Sequence, residues 1–140
     1  MFDIKTVRAI IAERNATDNE WDDRIEQCWR KLQIALSEDI PGTIHFLLSD
    51  CTDDELASIS EIMEDLIGET QSIPLIKAYR TAIVLHPQAN ERYHLDRNLD
   101  TDITMLTDTM AAQQLVAWRP STQDLVRIQA MNKNIQGIEN

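Results

Sequence analysis

The stretch CTDDELASISEIMEDLIG, residues 51–68, decides how the chain is read. Thr52-Asp53-Asp54-Glu55 is a capping box, in which a Thr side chain and the Glu three residues on each satisfy a backbone N–H that a helix start leaves bare. Behind it Leu56, Ile59, Ile62, Met63, Leu66 and Ile67 recur at helical spacing, and Gly68 is placed to stop the helix. The spacing therefore predicts one amphipathic helix from Asp53 to Ile67. Asp53, Asp54, Glu61, Glu64 and Asp65 fall on the arc opposite its apolar stripe.

Working outward, the same signals return. Asp3 caps a short helix through Ile4, Val7, Ile10 and Ile11, and Thr17 or Asp18 opens a longer one carrying Trp21, Ile25, Cys28, Trp29, Leu32 and Leu36 on one arc. Asp39 with Pro41 starts a third helix, with Ile40, Ile44, Leu47 and Leu48 facing inward and Gly42 weakening it. Ser72 with Pro74 opens a helix that His86-Pro87 ends. A brief helix follows near Ala89 to Leu95. Asp100 or Thr101 then caps a segment spined by Ile103, Leu106 and Met110 and running to Trp118. Arg119-Pro120 interrupts it, Ser121 and Asp124 restart a last helix, and residues 134–140 are expected to fray.

No alternation of period two survives beyond four residues, and Asn-Gly and Asp-Gly are absent. The expected fold is all-α: a single-domain irregular bundle of about seven or eight helices, or a short stacked helical array. At 140 residues such a domain builds its own core. Two cysteines make no disulfide framework, and no signal-peptide pattern follows the N-terminus. No apolar run approaches the roughly 20 residues of a membrane span. These features predict a cytoplasmic protein.

The net charge of −11 is not evenly spread: residues 1–70 hold 17 Asp and Glu against 6 Lys and Arg, while residues 71–140 hold 7 of each. Nucleic acid and anionic membrane carry the same sign, so neither is the expected direct ligand. From Asp50 to Glu69 there is no Lys or Arg at all. An acidic run is ordinarily a solvated face. Here the carboxylates have no interleaved cations and forgo i,i+4 stabilisation, although the second half of the chain shows that a balance of charge is available, which favours a surface made for a basic partner. The candidate partner-binding residues are Asp50, Asp53, Asp54, Glu61, Glu64, Asp65 and Glu69, extended by Asp22, Asp23 and Trp21 of the second helix.

Catalytic and metal readings are weaker. Glu61 and Asp65 at i,i+4 could share a cation, but no Glu-x-x-His and no calcium-loop pattern occurs. His94 beside Asp96 could form an acid–base pair, yet no nucleophile is identifiable to accompany it. His45 reads as half-buried and His86 as a helix terminus. Cys28 reads as a core residue, and Cys51 as a thiol blunted by neighbouring carboxylates. Neither an enzyme nor a cofactor is expected, and a monomer is favoured.

The run FLLSDCTDDELASISEIMEDLIGETQS, residues 46–72 and about a fifth of the chain, resembles small acidic bacterial immunity proteins encoded beside polymorphic toxins, as in contact-dependent growth inhibition. The likeness lies in the D-C-T-x-x-E-L entry to an acidic helix and in the E-T-Q-S that follows it. It implies an inhibitor of a cognate toxin. Many such toxins are nucleases with basic clefts, an RNase being preferred to a DNase here. The rival expectation is a helical adaptor that binds a basic segment of a host protein.

Overall fold

The computed structural model describes residues 1–18, 20 and 22–139, with side chains through Asn132. Among these residues the chain is all-α. The helices are α1 (Ile4–Ala16), α2 (Asp22–Ser37), α3 (Ile40–His45), α4 (Asp53–Ser60), α5 (Met63–Thr70), α6 (Ile73–Leu85), α7 (Pro87–Tyr93), α8 (Leu95–Asp102), α9 (Thr109–Ala117) and α10 (Thr122–Glu139). A π-helical turn, Phe46–Asp50, continues α3, and a 3-10 turn, Ile103–Met105, continues α8. Short polar side chains begin the helices as expected. Asp3, Asp39 and Ser72 accept from first-turn amides, and Thr52 and Glu55 close the capping box at 3.2 and 3.0 Å.

The helices stack in three rows, because each rests on the third helix before it: α1, α4 and α7 form one row, α2, α5 and α8 the second, and α3, α6 and α9 the third. The result is a short array of three layers, α1–α3, α4–α6 and α7–α9, with α10 against the π-helical turn. One apolar cluster runs through all three layers, from Val7 and Ile11 through Leu66 and Ile67 to Leu99 and Leu115. The middle layer is covered on both sides, which is why Leu56, Leu66, Ile67, Leu75 and Ala82 have no exposed surface.

Several sequence expectations are corrected, the first being the count of helices: ten among the described residues, not seven or eight. The acidic helix is two helices, α4 and α5, broken at Glu61–Ile62. Ser58 and Ser60 donate their hydroxyls back to the carbonyls of Asp54 and Ala57, and such bonds compete with the helical ladder and bend it. Gly68 lies inside α5, and Gln71, in the left-handed conformation at φ 50°, closes it instead. Helix α2 begins at Asp22, later than Thr17 or Asp18. The segment from Asp100 to Trp118 is not one helix: Asp108 caps α9 separately, and Met110 is 72% exposed rather than part of a spine.

Gly42 is needed rather than merely tolerated, because a Cβ there would stand 2.3 Å from that of Phe2. His45 is exposed, not half-buried. The expected fraying of residues 134–140 falls beyond the described side chains.

One buried charge escaped sequence reading altogether. Arg80 of α6 has no exposed surface. Its guanidinium donates to Asp96 Oδ1 at 2.7 Å, Asp100 Oδ1 at 2.8 Å, and the carbonyls of Asp96 and Leu115, each at 3.2 Å. It thus ties α6 to α8 and α9, and Arg119 adds a bond to the second oxygen of Asp96 at 3.1 Å. Asp96 and Asp100 are 32% and 38% exposed, so water can solvate them once the cation is gone, and the cost of truncation lies in the cavity and the lost hydrogen bonds. Arg80→Ala should therefore lower urea-unfolding stability by about 2–4 kcal/mol, and Arg80→Met, which keeps most of the volume, should lose less. Equal stability of Arg80→Ala and the parent would contradict this assignment.

Candidate partner-binding surface

The predicted acidic residues do not form one face, because the break between α4 and α5 turns them toward different neighbours. On α4, Asp53 pairs with the His86 imidazole at the end of α6. Glu55 closes the capping box and also binds Arg8 Nε of α1 at 2.8 Å. Glu61, at the break, accepts from Arg14 Nε at 3.0 Å and from the Trp29 indole N–H at 2.7 Å. Glu69 accepts from the Gln33 amide at 2.8 Å. Asp50 is exposed and lies 3.9 Å from His45 Nε2. Asp53, Glu61 and Glu69 are thus bridges between stacked helices as much as surface charges.

The remaining acids are not engaged in this way. Asp22, Asp23, Asp54, Glu64 and Asp65 are exposed and take part in no ion pair among the described residues. Meanwhile five cations of the first half already have carboxylate partners: Arg8 with Glu55, Arg14 with Glu61, Arg24 and Lys31 with Glu13, and Arg30 with Glu26. Trp21 lies outside the described residues.

Two of the unengaged acids share a groove. Asp22 of α2 and Asp65 of α5 line a cavity of about 570 Å³ with Ile25, Trp29, Gln33 and Arg14. Positions 22, 26, 29 and 33 follow one another by four, three and four residues, the spacing of one helix face, so α2 presents a stripe to α5. That stripe is visible in the sequence; its closure by α5 is not, since residues 33 and 69 meet only after the layers stack. A second groove, between α1, α4 and α7, holds Asp54 and Glu61 beside Asn15 and Tyr93.

The other candidates resolve into structural roles. Asp96 directs its oxygens to Arg80 and Arg119, and His94 is an exposed left-handed residue between α7 and α8. The Cys28 and Cys51 thiols are both buried and pushed upward from the ordinary range, first by burial and for Cys51 next by Glu55. Glu61 is held by Arg14, which removes it from a metal pair with Asp65, and no cluster of three or more His, Cys, Asp or Glu among the described residues could hold a metal. No helix among them is long and apolar enough to cross a membrane.

Comparison with protein-family models, with characterised proteins and with solved structures returns no match.

One carboxyl is raised. Half-buried Asp102 at the end of α8 is pushed up to about 6, first by burial and then by the charge of Glu64 on α5. A carboxyl raised on folding favours the folded state fully below its unfolded value, and that contribution is lost as pH rises through about 6. Asp102→Asn should therefore be more resistant to urea than the parent above pH 7 and close to it near pH 4. An identical difference at both pH values would remove Asp102 from this role.

Proposed function

We propose that the chain is a cytoplasmic immunity protein that binds and neutralises a basic toxin domain, a nuclease with an RNase preferred. The observation that carries this reading is the uneven use of charge. Five of the six cations of the first half pair with carboxylates, whereas Asp22, Asp23, Asp54, Glu64 and Asp65 on α2, α4 and α5 face outward in no ion pair among the described residues. Like charges held together repel, and a cationic partner relieves that repulsion and gains a faster encounter. A nuclease cleft is basic because it must hold phosphates, so an acidic surface can occupy it in competition with nucleic acid. The likeness of residues 46–72 to immunity proteins supports the same conclusion.

The stacked array favours a second reading, a helical adaptor for a basic segment of a host protein, since such stacks present extended binding surfaces. The two readings differ in whether the bound partner loses a toxic activity.

The residues to alter are those with no internal partner. Reversing Glu61 would break its bonds to Arg14 and Trp29 and confound binding with stability. Asp54→Lys with Glu64→Lys and Asp65→Lys should keep the fold, measured by circular dichroism and urea unfolding. The triple variant should slow association with the toxin domain by at least about tenfold at low salt and much less at high salt. It should also weaken protection of cells that express the toxin. Unchanged association and protection would exclude this surface.

A further inference from the structure

We infer that the groove between α1, α2 and α5 receives an arginine side chain of the basic partner, with the Trp29 ring as its platform and Asp22 and Asp65 as its counter-charges. The inference rests on the proposed partner class and adds where, and by which side chain, that partner is held.

Three observations carry it. The first is the cavity, about 570 Å³, opening on the surface where unengaged acids of α2 and α5 converge. The second is the fixed ring: the Trp29 indole N–H donates to Glu61 Oε2 at 2.7 Å, and Arg14 holds the same oxygen at 3.0 Å. Trp29 is therefore oriented before any partner arrives, and less side-chain freedom is lost on binding. The third is the charge left over in the lining. The lining holds two arginines and three carboxylates: Arg30 pairs with Glu26, and Arg14 is held by Glu61 from outside the lining, which leaves Asp22 and Asp65 as the two lining charges in no ion pair among the described residues.

An anion would meet like charge there. A neutral apolar side chain would leave both carboxylates without a counter-charge. Arginine fits all three features, because its planar guanidinium stacks on an indole face while its N–H fork reaches carboxylates to either side. Lysine offers a point charge without the plane, and gains less from the ring.

The test uses the full chain, labelled with nitrogen-15, and two capped, amidated tripeptides, Gly-Arg-Gly and Gly-Lys-Gly. The Trp29 indole N–H resonance is assigned by its loss in Trp29→Phe. The arginine peptide should shift that resonance saturably, and more tightly than the lysine peptide. Asp22→Asn with Asp65→Asn should weaken this binding at least about fivefold, as expected for desolvated cation–π and charge contacts. Both acids are exposed, so the double variant should fold as the parent does. No saturable shift of Trp29, or equal shifts from both peptides spread over every acidic residue, would overturn the inference. If a basic nuclease bound the double asparagine variant as tightly as the parent, the groove would be excluded while the immunity reading stood. If the arginine peptide filled the groove but no nuclease bound, the groove would stand and the immunity reading would fall.

Discussion

A guanidinium cannot be left bare inside a protein, and Arg80, with no exposed surface, fixes how α8 and α9 sit against α6. Asp96 and Asp100 lie one turn apart on α8, the spacing that brings two carboxylates to one helix face. The carbonyl of Leu115 then fixes the end of α9 on the same cation. Helices α8 and α9 are only eight and nine residues long, too short to persist alone in water, so their order depends on this junction and on the apolar contacts of Leu95, Leu99, Ile103 and Leu115 around it.

The same device recurs with less burial in the first two layers. Arg8 with Glu55 and Arg14 with Glu61 join α1 to the layer beneath it, Gln33 with Glu69 joins α2 to α5, and His86 with Asp53 joins the end of α6 to the start of α4. Each contact links elements that lie far apart in sequence, and each consumes one acidic residue of a surplus. Asp22 and Asp23 on α2, Asp54 on α4, and Glu64 and Asp65 on α5 are a different population, exposed and in no ion pair among the described residues. The proposed binding surface is this remainder, not the whole acidic run.

Much of this was legible in the chain. Side chains that act over three or four residues write their role locally, as Asp3, Asp39, Thr52, Glu55 and Ser72 do. The break within residues 53–67 was harder, because apolar spacing ran through it unchanged and only the serine hydroxyls opposed it. Arg80 could not be read, because a lone Arg amid apolar residues becomes interpretable only once α8 supplies two carboxylates. Gly42 was misread for the same reason: what it meets, Phe2, is remote in sequence. The acidic candidates divided likewise. Their charge was evident from composition, but which of them had internal partners depended on the stacking of rows.

The account's central claim is that the leftover acidic surface neutralises a basic nuclease. Its most direct test is to purify the tagged protein from the cells that make it, at low and at high salt, and to assay the co-purifying chain for nuclease activity. The account predicts a single basic chain, retained at low salt, whose nuclease activity appears when the complex is separated and disappears when the protein is added back. Recovery of a partner without nuclease activity, or of one whose activity the protein does not suppress, would contradict it.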